Sequence, residues 1–477
     1  MKIAFAAAEC APFFKTGGLG DVMGALPKEL AKKGEEVSVF LPFFKNGMKE
    51  SFKEQLVDEF YDYVEMSWRR EYVGVKSLKR DGVSYYFLDN ERYFGRDALY
   101  GYFDDGERWA WFSLAVVQLQ EKLGVPDILH VNDFHTAMIP FLLREKFNWI
   151  EAYHDIKTIL TIHNIEFQGS MDPSVLGEFF GVGMERFYEG VLEHKGALNF
   201  LKAGILYADE VTTVSPSYAE EIKTPEFGNG LDEILRYVSG KVVGLVNGID
   251  YSVYDPAIDL HLAHHFSAND LSGKRAMKEA LQRRVNLPVD AGVPLIGMVS
   301  RLTYQKGFDL LLAQMDALLA QEVQFVLIGT GYEALEDGFR YFAAQYPHKF
   351  AAVIDFDLQL AQEIYAGSDY FLMPSAFEPC GLSQMIAMRY GTLPIVHEIG
   401  GLKDTVKPYN PATRAGTGFG FVEFDGGVLT ESVKRAIGLF WNEPETIYQM
   451  RKQAMREDFS WATKSTAYLE LYKKVVQ

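Results

Sequence analysis

The feature that most constrains the fold of this chain is a rhythm. Short runs rich in valine and isoleucine recur along it, and each is followed by a helical pattern. The first half carries KIAFAAA (Lys2–Ala8), EVSVFLP (Glu36–Pro42), VSYYFLD (Val83–Asp89) and DILHVND (Asp127–Asp133). KTILTIHN (Lys157–Asn164), EVTTVSP (Glu210–Pro216) and KVVGLVNG (Lys241–Gly248) follow. The second half carries PLIGMVS (Pro294–Ser300), VQFVLIG (Val323–Gly329), AAVIDF (Ala351–Phe356), DYFLMPS (Asp369–Ser375) and LPIVHE (Leu393–Glu398). Continuous apolar runs, rather than alternating ones, read as strands covered on both faces, as in a parallel sheet. Strands separated by helices are the mark of βαβ units. Twelve such strands exceed one sheet of usual size, and 477 residues exceed one core. The pattern therefore predicts an α/β chain of two doubly wound, Rossmann-like domains. Turn residues at Asn247–Asp250 and a break at Tyr254-Asp255-Pro256 place the boundary at 250, giving domains 1–250 and 251–457 and a helical tail, 458–477. Asn46 to Asp81, charged and aromatic, reads as antiparallel strands inserted in the first domain.

Charge narrows the partners. Lys and Arg total 47 against 65 Asp and Glu, a net charge of -18 with no basic run, which argues against nucleic acid. Two cysteines, Cys10 and Cys380, provide no disulfide framework and suit a reducing compartment. Glu9 interrupts the first apolar run too early for a signal peptide, and no segment has the length and apolarity of a membrane span. A cytoplasmic protein without membrane partners is expected.

Ligands of open α/β sheets lie beyond the carboxyl ends of the strands. Those ends carry Lys15 and Asp21, Asp133 and His135, His163 and Asn164, Ser300, Arg301 and Lys306, and Glu378. KTGGLGD (Lys15–Asp21) is either a tight βα turn with Asp21 as helix N-cap or an anion cradle of glycine amides helped by Lys15. It matches neither a dinucleotide fingerprint nor a P-loop. In SRLTYQKG (Ser300–Gly307) the Arg301 fork and the Lys306 point charge can both reach a diphosphate, or both can be solvated surface cations. FEPCGLSQMIAMRYG (Phe377–Gly391) sets Glu378 just before a helix, where it either offsets the dipole or accepts sugar hydroxyls. Asp355-Phe356-Asp357 spells D-x-D, but two carboxylates alone make a poor metal site, and His264-His265 has no partner at zinc spacing. No metal site is expected.

Taken in order, KTGGLGDVMGALP, TIHNIEFQG, LKAGILYADEVTTVSPSYAEEI, VNGID, SRLTYQKGFDLL and FEPCGLSQMIAMRYGTLPIV resemble the bacterial glycogen synthases, which are similar to the plant starch synthases. The resemblance runs from Lys2 to the DFSW at Asp458–Trp461. It implies a GT-B fold, two Rossmann-like domains with an interdomain cleft, and a C-terminal helix returning to the first domain. It implies transfer of glucose from ADP-glucose to the non-reducing-end 4-OH of glycogen or another α-1,4-glucan, with retention and without metal or other cofactor.

Carried over by position, Arg301 and Lys306 would bind the diphosphate, and Glu378 the glucose hydroxyls. The amides of Cys380, Gly381 and Leu382 would lie near phosphate and sugar. Lys15, with the amides of Gly17 and Gly18, would help hold the donor. Asp21 would contact the transferred glucose or the acceptor, and His163 would lie beside the anomeric carbon. Asn247 would touch the sugar, Asp133 and His135 would lie near the acceptor, and Asn164 and Ser300 would join the substrate-binding set. Phe356 would border the adenine. Departures are Ile386 where these enzymes usually have Tyr, Asp355-Phe356 for Gly-Tyr, and HVNDFH (His130–His135) for H-x-H-D-W-H. They bear on base preference and acceptor binding more than on the reaction. Asp89–Ser113 carries the tyrosines and acids expected of a glucan-lining loop. A sucrose- or trehalose-phosphate-type synthase, using UDP-glucose and a small acceptor, is the nearest rival. A glycogen phosphorylase would need a longer chain and a pyridoxal-phosphate lysine motif, and a two-lobed sugar-binding protein would normally be exported.

Overall fold

The computed structural model describes residues 1–477. The chain divides into two compact units, Met1–Gly248 with Trp461–Gln477, and Ile249–Ser460. No helix is long and apolar enough to cross a membrane.

The first unit carries β1 (Lys2–Ala6), β2 (Glu36–Pro42), β3 (Val57–Met66), β4 (Arg69–Arg80), β5 (Val83–Asp89), β6 (Ile128–Asn132) and β7 (Lys157–Ile162). It continues with β8 (Ser170–Met171), β9 (Glu193–His194), β10 (Ala197–Asn199), β11 (Glu210–Thr213) and β12 (Val242–Gly244). Nine of these form one sheet in the order β12-β11-β7-β6-β1-β2-β5-β4-β3, and β8, β10 and β9 form a small antiparallel one. The large sheet is parallel from β12 to β5. Every residue of β6 is buried, as a strand covered on both faces requires. From β1 the chain winds outward through β2 and β5, and from β6 it winds the other way. The crevice beyond the carboxyl ends of β1 and β6 is therefore the topological switch point.

β3 and β4, from the segment read as an insertion, are antiparallel and extend the main sheet at its β5 edge. The helix Trp461–Val476 belongs to this unit. Its Tyr472 hydroxyl lies 2.6 Å from Nδ1 of His130, a fully buried residue of β6.

The second unit carries β13 (Leu295–Val299), β14 (Gln324–Ile328), β15 (Phe350–Val353), β16 (Tyr370–Met373), β17 (Leu393–His397) and β18 (Phe419–Phe421). All are parallel, in the order β15-β14-β13-β16-β17-β18, so this switch point lies between β13 and β16. β18 lies outside the twelve anticipated runs. At the entry to β16 the buried Asp369 carboxylate meets Lys278 at 2.6 Å and Arg451 at 2.5 Å. Burial pushes its pKa up, but the two cations hold it below the usual carboxylate value. This pairing fastens the helices Ser272–Arg284 and Pro444–Arg456 to the sheet.

Candidate active site

At the first switch point the loop leaving β1 turns around one acid, Glu9. This carboxylate is 2% exposed and accepts from Thr16 N and Oγ1 (both 2.7 Å), Gly17 N (3.1 Å), Gly20 N (3.0 Å) and the Tyr100 hydroxyl (3.3 Å). A carboxylate facing the first turn of a helix satisfies amides that have no intrahelical partner. The helix accordingly spans Gly18–Lys32, with Gly17 as N-cap. Asp21 is thus not a cap. It lies in the first turn and pairs with Lys15 at 2.6 Å. The Gly17 amide, expected to face a ligand, is turned inward because Glu9 takes it, whereas Gly18 borders open space. Gly20 is required by contact: a Cβ there would fall 2.4 Å from that of Lys15.

Beyond β6, Asp133 adopts a φ of +54°, a conformation rare outside glycine. Its Oδ1 accepts from His163 N at 2.7 Å. Burial pushes the Asp133 carboxyl up to about 7, opposed by the amides of His163 and Asn164. His163 Nε2 lies 2.9 Å from Asn132 Oδ1, and burial depresses the His163 pKa to about 3, so the ring is neutral. Asn164 closes its own turn by accepting from Glu166 N. His135 packs among Phe134, Tyr100 and Trp109, with ring centroids 3.9, 4.9 and 4.6 Å away. Its Nδ1 is buried without a partner, as is Oδ1 of Asn247 beyond β12.

Asp89–Ser113 is interior at Tyr93, Phe94 and Arg108–Ser113, while Glu91, Arg92, Asp97, Ala98, Gly101 and Phe103 are exposed. Tyr93, Trp109 and Trp111 are fully buried, and the acids are engaged: Asp104 with Arg96, Asp105 with Arg108, Glu107 with Arg69.

At the second switch point the loops after β13 and β16 are locked together. Ala376 N donates to Gln305 O at 2.8 Å, and Gly307, at φ +72°, sits where a Cβ would strike Pro374 O at 1.9 Å. Across this junction Lys306 Nζ reaches Glu378 Oε2 at 2.6 Å, and Ser375 Oγ donates to the same oxygen at 3.0 Å. Glu378 is buried, and Arg301 is exposed with neither ion pair nor hydrogen bond on its guanidinium. Ser300 Oγ donates to Arg301 O.

Cys380 is buried, and Gly381 stands at φ +73°. Their carbonyls accept from Gln384 Nε2, and the helix begins at Ser383 behind Leu382. Phe356 is 86% exposed. In the D-x-D, Asp357 caps the helix Leu358–Gly367 and pairs with Arg284 at 2.7 Å. No group of three or more His, Cys, Asp or Glu side chains is arranged to hold a metal.

A buried carboxylate paired with the ammonium of a loop that also carries an unpaired guanidinium, at the switch point of a parallel sheet, suits a ligand carrying both hydroxyls and phosphates. Residues 2–237 match the starch synthase catalytic domain model, and 281–454 match glycosyl transferases group 1. Glycogen synthase from Lactococcus lactis is 64% identical over 100% of both chains, and that from Streptococcus mutans is 59% identical with the same coverage.

The chain belongs to the glycogen and starch synthase family.

The catalytic domain of Arabidopsis thaliana starch synthase IV, solved bound to ADP and acarbose, superimposes with a TM-score of 0.90 at 32% identity, covering 100% of this chain and 99% of that one. Sucrose-phosphate synthase from Thermosynechococcus elongatus shares the fold at a TM-score of 0.64 and 18% identity, covering 99% and 98%. The fold is GT-B, and the chain is a glycosyltransferase. Within this family setting, sequence reasoning missed Glu9, Asn132 and Tyr100 as organisers of the N-terminal cluster. The only signal for Glu9 was a lone acid at the end of an apolar strand before a glycine loop.

Proposed function

We propose that this glycogen synthase relative moves glucose from ADP-glucose to the non-reducing-end 4-OH of an α-1,4-glucan, with retention, in the cytoplasm. The observation that carries the reading is the Arg301–Lys306–Glu378 arrangement at the β13/β16 switch point. As the C1–O bond to ADP breaks, negative charge grows on the diphosphate. The free Arg301 fork and Lys306 meet that charge, and such preorganised stabilisation is worth several kcal/mol. Glu378 and the backbone at Cys380, Gly381 and Leu382 hold the glucose, and Phe356 and Ser300 belong to the donor side.

On the N-terminal unit, His163 is a neutral hydrogen-bonding group beside the reacting carbon rather than a cation. Asp21, Asp133, His135, Asn164 and Asn247 serve glucose and acceptor, and Lys15 and Gly18 help hold the donor. The acceptor oxygen forms the new bond to C1 on the face that ADP leaves, and its proton passes to the departing phosphate. The ADP and acarbose bound by the Arabidopsis relative support an adenine donor and a glucan acceptor. Donor competition with glycogen present tests the assignment. ADP-glucose is expected to turn over faster than UDP-glucose, and the opposite order would transfer the chain to the UDP-glucose synthases.

A further inference from the structure

Strand β17, LPIVH, is apolar until its last residue, yet it is buried along its whole length. That residue, His397, has both ring nitrogens against main-chain oxygens. Nδ1 lies 2.7 Å from Ser375 O, beyond β16, and Nε2 lies 3.1 Å from Val422 O, beyond β18. A carbonyl oxygen only accepts, so each nitrogen has to donate, and only the imidazolium form carries two N–H groups. The neighbouring rings suit that form. Phe421 is stacked on His397 with centroids 5.4 Å apart and planes 21° apart, and the Phe424 ring lies at 5.5 Å. An aromatic face at this range attracts a cation.

We infer that His397 is a positioning residue for the donor site, a doubly donating clasp on the loop that carries Glu378. The inference rests on the donor reading given above. Ser375, whose carbonyl His397 holds, is 1% exposed. Its Oγ donates to Glu378 Oε2 at 3.0 Å, the same oxygen that Lys306 reaches. The other end of the clasp, at Val422, holds the segment that leaves β18. Phe424 of that segment borders Gly307, where a Cβ would stand 3.4 Å from Phe424 Cε2. One ring thus ties the loops after β16 and β18 together, and the loop after β13 is joined to both. His397 acts through Ser375: its two N–H groups fix the carbonyl, the hydroxyl then points at Glu378, and the carboxylate is held in place for glucose hydroxyls. Without the clasp Ser375 is free to shift, and the donor site loses its set geometry.

The test combines donor kinetics with spectroscopy of the ring in the full chain. His397→Phe keeps an aromatic ring in the stack and removes both donors. Its KM for ADP-glucose is expected to rise about tenfold, with the KM for glycogen unchanged. A smaller folded fraction does not produce that split, because it lowers kcat alone. His397→Gln, with donors on a single nitrogen, is expected to fall between the parent and the Phe variant. In heteronuclear spectra of histidine-labelled protein, the signals that the Phe variant lacks are expected to come from a ring protonated on both nitrogens. A KM for ADP-glucose unchanged in both variants overturns the inference. So does a ring bearing one N–H at every pH at which the parent stays folded. A parent enzyme that does not turn over ADP-glucose refutes the proposed reaction instead, and the ring spectrum still decides whether His397 donates to both carbonyls.

Discussion

Arg301 and Lys306 share one loop but have different surroundings, and that difference is measurable. Arg301→Ala removes an exposed, unpaired guanidinium, so the rate falls about a hundredfold or more while the melting temperature is unchanged. Lys306→Ala loses as much rate and also strands the buried Glu378 carboxylate, costing about 3 kcal/mol of stability. Steady-state rates and thermal melts of the two variants check both halves, and near-full activity in either would remove it from the proposed diphosphate site. These residues were legible in the sequence because charges gathered at strand ends, in motifs with fixed spacing. Glu9 was not, since its partners are backbone amides spread over Thr16, Gly17 and Gly20, and amides leave no trace in residue identity. Asp21 as a cap failed for the same reason: the first-turn amides were already served by Glu9, in the loop before the helix.

Elements were more legible than contacts. All twelve apolar runs are strands, because a strand buried on both faces must be apolar along its length. β18 escaped because GFGF alternates glycine with phenylalanine over only three paired residues. The hairpin was read as antiparallel from its charge and aromatics, but its continuity with the parallel sheet depends on pairing with β5, which no local pattern displays. The C-terminal helix shows what such long-range pairing contributes. Tyr472 and Thr161 hold the two ring nitrogens of buried His130 at 2.6 Å each. Tyr472→Phe leaves Nδ1 unpaired in the interior, at an expected cost of about 1–3 kcal/mol in chemical denaturation. An unchanged midpoint would mean that this contact does not anchor the helix.

For the molecule as a whole, buried titratable groups concentrate in the N-terminal unit and set its response to acid. Burial lowers His130, His135 and His163 from 6.5 to about 3 in the fold. Their contribution to stability is full above pH 6.5 and is lost as pH falls toward 3, because the unfolded chain then binds protons that the fold does not. Asp133 acts in the opposite sense. Raised from 3.8 to about 7, it contributes fully below 3.8 and loses that contribution as pH rises through 7. Three groups outweigh one, so the calorimetric midpoint of this unit should fall steadily from pH 6.5 to about 4. A midpoint constant over that range would contradict the buried, neutral histidines. The central claim is the reaction itself. The direct measurement incubates the purified chain with ADP-glucose and glycogen, following ADP release together with incorporation of glucose into α-amylase-sensitive polymer. The account predicts equal amounts of both products, and ADP release without amylase-sensitive incorporation, or neither, would contradict it.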